Sequence, residues 1–282
     1  MNAVEIKNLK KQLGNFYLDI DNLKIPKGYI TGFIGQNGSG KTTTIKLIID
    51  MLHPDNGQIT LFNKKLRENE AEIKQNLAYI GSNSAFPEDT KLIDIKKMIA
   101  PFYKSWDESL YSKYIKKFSL DESKKFKDLS SGKKKQFELC MALSYRPKLL
   151  LMDEPTVNLD PIIRNEFLDI LLENMEDGEM SVFYSSHITS DLEKAADFVY
   201  FLNNGKIMLS GEKDLLLDNH KIVKGPLNLL DDEIKQNFVS IKTNSFGFEA
   251  LTNDYKKTFN LLGEEAIYEK PSLESLMLYY LN

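Results

Sequence analysis

Two short stretches of this 282-residue chain carry residue types and spacings suited to phosphate chemistry. The first is Gly35-Gln36-Asn37-Gly38-Ser39-Gly40-Lys41-Thr42-Thr43, where a glycine, four intervening residues and Gly-Lys-Thr give the spacing of a loop that wraps the phosphates of a nucleoside triphosphate. Glycines let the backbone approach an anion, and successive N–H groups at a helix start form a positive nest for it. Lys41 is expected to reach the β and γ phosphates, and the Thr42 hydroxyl to ligate Mg²⁺. The second stretch is the apolar run Leu149-Leu150-Leu151-Met152 ending in Asp153-Glu154-Pro155. A buried strand of this kind delivers carboxylates to its C-terminal edge, where open α/β sheets place ligands. There Asp153 is expected to hold Mg²⁺ and Glu154 to polarise the attacking water, because phosphoryl transfer needs positioning and charge stabilisation more than covalent help.

The elements that must position these residues are legible on either side. Tyr29 to Ile34 enters the phosphate loop as a strand, and Thr42 to Ile49 leaves it with helical spacing. Upstream, Val4, Ile6 and Leu9, then Leu18, Ile20, Leu23 and Ile25, predict strands of an antiparallel layer that ends at Pro26-Lys27-Gly28. Pro54-Asp55-Asn56-Gly57 marks a turn before a strand over 58–62, and Leu77 to Ile80 is another strand. From about Pro87 to Lys127 the apolar spacing becomes helical, which predicts an insertion. Strand and helix alternate again from Leu149 to Ala196, the pattern of a parallel sheet covered by helices. A hairpin around Asn203-Asn204-Gly205 then closes this unit. Beyond residue 212, short strands near Ile222-Val223, Phe238 to Ile241 and Ala266 to Tyr268, a helix over Asp254 to Leu262 and a last helix after Pro271-Ser272 predict a small α+β appendage. That last helix, with Leu273, Leu276, Met277, Tyr280 and Leu281, is expected to pack on its own domain or to offer a partner surface.

Composition sets bounds. With 42% hydrophobic and 28% charged residues the chain is long enough for real cores, and the net charge of −4 gives no reason to expect nucleic acid. Lys124, Lys125, Lys127, Lys133, Lys134 and Lys135 are interleaved with one aromatic, Phe126, which makes no stacking platform for bases. The single cysteine, Cys140, excludes an internal disulfide and fits a reducing compartment. No window approaches 18 uninterrupted apolar residues, and the N-terminus has no apolar core of a signal peptide, so a cytoplasmic location is expected.

Leu129-Ser130-Ser131-Gly132-Lys133 precedes a helix through Phe137, Leu139 and Leu143. Alone it is a serine helix cap. Placed shortly before the Asp-Glu strand, it resembles the Leu-Ser-Gly-Gly-Gln signature of ATP-binding-cassette (ABC) ATPases, and His187 after the next strand sits where that family has its switch histidine. Leu159-Asp160 is similar to the family's dimer-contact loop. The resemblance covers about residues 1–211. It implies a P-loop NTPase ABC cassette of the α/β class with an antiparallel β layer, a helical insertion subdomain at about 87–146, and the appendage at 212–282.

In that family two cassettes sandwich two ATP molecules. The resemblance therefore implies that Ser130, Ser131 and Gly132 of one subunit cap the γ-phosphate held by another, with Asp160 at the contact and His187 hydrogen-bonded to the γ-phosphate. Ser131 and Lys133 replace the usual glycine and glutamine. Ser82 stands where the family keeps a Mg²⁺-contacting glutamine, with the Asn83 amide beside it, and Leu13 holds the place of the adenine-stacking aromatic, leaving Phe16 or Tyr17 to substitute. The phrases Ser82 to Pro87, Phe102 to Asp107, Ser186 to Glu193 and Glu269 to Glu274 resemble the subgroup serving bacterial exporters of bacitracin, lantibiotics and phenol-soluble modulins. The function so implied is the ATP-hydrolysing subunit of an exporter of amphipathic or antimicrobial peptides, docked from the cytoplasmic side on an integral membrane permease, with a second ATPase subunit. The rival is a soluble ABC-type ATPase acting on ribosomes or in DNA repair. One phosphate loop and no heptad run speak against it.

Overall fold

The computed structural model describes residues 1–84 and 86–281, with the side chain of Leu281 excluded; Ala85, within the Ser82 to Pro87 phrase, lies outside the described residues. The chain begins with a long hairpin, β1 (Asn2–Leu13) and β2 (Phe16–Pro26). Val4 pairs with Ile25, Ile6 with Leu23 and Leu9 with Ile20, and all six of these apolar side chains are fully buried. Burying a Leu or Ile side chain is worth about 1.5–3 kcal/mol, which makes these residues a main support of the layer. β3 (Ile30–Ile34) follows, then α1 (Lys41–Ile48) and β4 (Asn56–Leu61), which joins the first layer in the order β2-β1-β4. A short α2 (Glu70–Gln75), not foreseen from the sequence, leads into β5 (Leu77–Ile80).

The insertion consists of α3 (Leu92–Ile99), α4 (Glu108–Lys117) and α5 (Ser131–Ser144). Asp107 caps α4 by accepting the Leu110 N–H at 3.0 Å, and Tyr111, Tyr114, Phe118, Phe126 and Phe137 fill the interior. Most of the lysines noted in the sequence are engaged by local partners. Lys127 reaches Asp89 at 2.5 Å, Lys134 reaches Glu88 at 2.8 Å, Lys135 reaches Glu138 at 2.7 Å, and Lys133 donates to the Phe118 carbonyl.

β6 (Leu149–Asp153), α6 (Pro161–Glu173), β7 (Ser181–Ser186), α7 (Thr189–Ala195), β8 (Phe198–Asn203) and β9 (Lys206–Glu212) complete a second sheet, ordered β5-β6-β7-β3-β8-β9. Only the β8–β9 pair is antiparallel. β3, β6 and β7 are buried on both faces, as strands covered by helices must be.

The remaining elements are α8 (Lys213–Asn219), β10 (Lys221–Gly225), α9 (Asp232–Lys235), β11 (Ser240–Asn244), β12 (Gly247–Thr252), α10 (Tyr255–Leu262), β13 (Ile267–Glu269) and α11 (Leu273–Leu281). The third sheet has the order β11-β12-β10-β13. It contains a central strand, β12, that the sequence does not announce. Val223, Phe248, Ala250, Leu262 and Ala266 make its small core. The last helix packs on its own unit, the Tyr279 hydroxyl donating to Glu249 of β12 at 2.5 Å and the Tyr280 hydroxyl lying 2.8 Å from His220 Nε2, and it also packs on α7, Leu273, Leu276 and Tyr279 being buried in the main core. Leu281, counted in the apolar face of this helix, has its side chain outside the described residues.

Candidate active site

The sheet order places the C-terminal ends of β3, β6 and β7 side by side, and each delivers one part of the site. After β3, Gly38 and Gly40 take φ of 81° and 113°, which only glycine adopts cheaply. A Cβ at Gly40 would lie 2.8 Å from Leu18 and 2.9 Å from Phe16, so the loop rests directly on the hairpin. The turn between β8 and β9 braces the other side, the Gly205 N–H donating to the Ser39 carbonyl at 2.9 Å and the Asp19 N–H to the Gly205 carbonyl at 2.8 Å. α1 begins at Gly40 with no side-chain cap and no acidic residue in its first turn. Its N–H groups and its dipole therefore favour an anion.

Lys41, only 5% exposed, turns back over this loop and donates to the Gly35 carbonyl at 2.7 Å and the Gln36 carbonyl at 3.2 Å. Its ammonium also lies 3.1 Å from Glu154 Oε1, a close ion contact without hydrogen-bond alignment. The Thr42 hydroxyl donates to Asp153 Oδ2 at 2.8 Å, and the Ser185 hydroxyl donates to Asp153 Oδ1 at 2.7 Å. Both oxygens of this fully buried carboxylate are thus oriented. Glu154 sits at the end of β6 with φ of 52°, a left-handed conformation that costs a non-glycine residue about 1–3 kcal/mol and that concentrates at functional sites. Its N–H donates to the Ser185 carbonyl at 3.0 Å, anchoring it to β7. Its Oε2 lies 2.9 Å from His187 Nδ1 and accepts the His187 N–H at 3.3 Å. Lysine, glutamate and histidine form one chain of polar contacts along the strand ends.

The remaining candidates lie further away. Ser130 caps α5, its hydroxyl accepting the Lys133 N–H at 3.3 Å, with Ser131 opening the helix. Gly132 is pressed against α6, where a Cβ would meet Ile163 at 2.5 Å. Asp160 caps α6, accepting the Ile162 and Ile163 N–H groups at 3.1 Å each. Ser82 and Asn83 are exposed, and among the described residues neither hydrogen-bonds Thr42 or Asp153. Asn83 instead lines a groove of about 270 Å³ between β5 and the helical insertion, together with Tyr79, Ile99, Tyr103 and Glu138. Burial, with Asp153 and Glu138 nearby, pushes the Tyr79 phenol up to about 12, so it remains a hydrogen-bond donor. Of the two aromatics near Leu13, Phe16 faces the phosphate loop while Tyr17 is exposed on the alternate side of β2.

Sequence reasoning missed a buried polar cluster behind these residues. Asp191, 1% exposed, accepts from the Thr156 hydroxyl at 2.6 Å and the Tyr184 hydroxyl at 2.9 Å and pairs with Arg164. It also missed Lys135, whose ammonium donates to the Gly81 carbonyl at 2.5 Å and ties α5 to the loop holding Ser82.

A family profile described as "ABC transporter" matches residues 18–157. The ATP-binding protein YtrB of an ABC transporter from Bacillus subtilis (strain 168) is 30% identical over 244 residues, 85% of this chain and 76% of that one. The lantibiotic transport ATP-binding protein SrtF of Streptococcus pyogenes is 33% identical over 75% of this chain and 91% of its own length. The bacitracin transport ATP-binding protein BcrA of Enterococcus faecalis is 29% identical, covering 73% and 68%. A solved ATP-binding subunit of an ABC transporter superposes with a TM-score of 0.68 at 26% identity, over 76% of this chain and 91% of that one. The likeness to bacitracin and lantibiotic transport subunits noted in the sequence is borne out by these relatives. The chain belongs to the ATP-binding subunits of ABC transporters, and its cassette is that family's ATPase domain.

Proposed function

We propose that this subunit hydrolyses ATP between two cassettes to drive export of amphipathic or antimicrobial peptides through a separate membrane permease. The observation that supports the chemistry most is the convergence of Lys41, Thr42, Asp153, Glu154 and His187 at three adjacent strand ends. The loop from Gly35 to Thr43 holds the triphosphate. Lys41 exchanges Glu154 for the β and γ phosphates, and the released carboxylate orients water for attack in line with the leaving oxygen. His187 holds Glu154 and contacts the γ-phosphate.

Thr42 and Asp153 present hard oxygen donors within 2.8 Å of each other, which suits Mg²⁺. Among the described residues no cluster of three or more His, Cys, Asp or Glu forms a metal cage. That also suits an ion that takes few protein ligands and completes its shell with phosphate and water. When bound, Mg²⁺ would neutralise charge on the phosphate oxygens.

Ser130, Ser131, Gly132 and Asp160 belong to the face that meets the second cassette. Contacts to the γ-phosphate exist only in the closed pair, so cleavage removes what favours closure. The groove beside Asn83, lined by Tyr79, Phe86, Ile99 and Tyr103 together with Lys74 and Glu138, is where a helix of the permease would dock. No described helix is long and apolar enough to cross a membrane, so the peripheral, cytoplasmic-side position rests on that docking. The peptide cargo rests on the names of SrtF and BcrA. Fractionation of the native cell tests the assignment. The tagged chain should sediment with membranes and be released by alkaline carbonate; recovery only with ribosomes or in the soluble fraction sinks it.

A further inference from the structure

We propose that Asp191 is a positioning residue that holds His187 in register with Glu154, an inference that rests on the roles given to Glu154 and His187 above. Asp191 lies in the first turn of α7, just behind His187, and its carboxylate is almost wholly buried. Three segments converge on it. Thr156, just beyond Glu154, and Tyr184, on β7, donate their hydroxyls to Oδ2 at 2.6 and 2.9 Å, and these two hydroxyls lie 2.9 Å from each other. Arg164 of α6 pairs with Oδ1 through Nε and donates from Nη2 to the Ser190 hydroxyl at 2.7 Å. The Arg164 N–H in turn donates to the Asp160 carbonyl at 3.0 Å.

A buried carboxylate must have its lone pairs occupied, and hydrogen bonds to a charged acceptor are the strong ones. Here one side chain satisfies that need with donors from the segments that carry Glu154, Asp160 and His187. Among the described residues, the side chains of the brace make no hydrogen bond to Lys41, Thr42, Asp153, Glu154 or His187. Its effect on turnover must therefore pass through His187. Only Ile188 separates that residue from α7, and its ring contacts Glu154 Oε2. An asparagine at 191 offers one acceptor oxygen where two are used and leaves Arg164 without a counter-charge.

The test uses the purified chain and its Asp191→Asn and Arg164→Lys variants, with three readouts: ATP affinity, ATP turnover, and the imidazole resonances of His53, His187 and His220. Asp191→Asn is expected to leave ATP affinity within about threefold while lowering kcat about 100-fold, the scale of a small misplacement of a catalytic group. The His187 resonance should move while His53 and His220 stay. On a His187→Ala background the same substitution should change kcat by less than about twofold, because the group it acts through is gone. Arg164→Lys keeps the charge but loses the fork, and should give a smaller loss with the same His187 displacement; it stands in if Asp191→Asn does not fold. A kcat loss with an unmoved His187 resonance, or one undiminished on the His187→Ala background, overturns the proposal. Turnover abolished by Glu154→Gln but indifferent to Asp191→Asn and Arg164→Lys sinks this inference alone; turnover indifferent to all three sinks the reading beneath it.

Discussion

Lys41 and Glu154 are joined 3.1 Å apart across the phosphate loop, their side chains 5% and 13% exposed, and the other Glu154 oxygen is held by His187. A charge so buried needs a counter-charge, so on the proposed reading the lysine is expected to leave Glu154 only when phosphate oxygens replace it. Binding of the triphosphate and release of the carboxylate for work on water would then be one event. Replacement Glu154→Gln keeps the shape and the contact to His187 but removes the base. ATP should still bind, turnover should fall about 100-fold or more, and gel filtration with magnesium ATP should show a trapped dimer. Unchanged turnover would remove Glu154 from this role.

Lys41→Ala acts at the other end of the pair. It strips the loop of its one buried cation and leaves Glu154 facing the phosphates unshielded. Truncating one partner of a buried charge pair across a binding interface, here the lysine and the phosphates it would meet, costs binding about 2–5 kcal/mol, so ATP affinity should weaken about 100-fold or more by calorimetry. Retention of micromolar affinity would count against the assignment of the phosphate loop.

The phosphate loop and the Asp153-Glu154 strand were legible because their physics is local. Glycines at positive φ, a lysine and a hydroxyl must occur in sequence order, and an apolar strand must run straight into its carboxylates. The Asp191 brace was not legible, because its partners Thr156 and Arg164 lie 35 and 27 positions away and only folding makes them neighbours. β12 was hidden for a different reason. Phe248-Glu249-Ala250-Leu251 has glutamate, alanine and leucine, which favour helix, and tertiary pairing between β10 and β11 overrides that preference. The docking of α11 on α7 could not be read from the apolar spacing of Leu273 and Leu276, since the period of a helix says that one face is covered but not by what.

His220 provides a pH dependence of stability within the physiological range. The ring is 3% exposed; Nδ1 lies 2.8 Å from the Leu216 carbonyl and so carries the proton, leaving Nε2 to accept from the Tyr280 hydroxyl at 2.8 Å. Burial holds its pKa below the usual 6.5, against the opposing pull of the Leu216 carbonyl. Between the folded and unfolded values the unfolded chain binds more protons, so stability is fully present above 6.5 and is lost as pH falls below it. Urea midpoints measured from pH 8 down to pH 5 should decline below 6.5, and His220→Gln should flatten that decline. An identical slope in the variant would place the titrating group elsewhere.

Leu276 tests whether the C-terminal residues fold as part of the ATPase. Its side chain is fully buried, in the same core as Leu192 and Ala195 of α7, although it lies far beyond the cassette in sequence. Leu276→Ala leaves a cavity there rather than in the small core of the third sheet, and such truncations cost about 2–5 kcal/mol. Because α7 follows His187 directly, the loss should appear in the unfolding of the whole chain as one lowered transition, with ATP turnover lost at the same temperature. A separate early transition confined to residues 212–282, with the main transition and the temperature of ATPase loss unchanged, would show that α11 is an ornament on the cassette and not one of its walls.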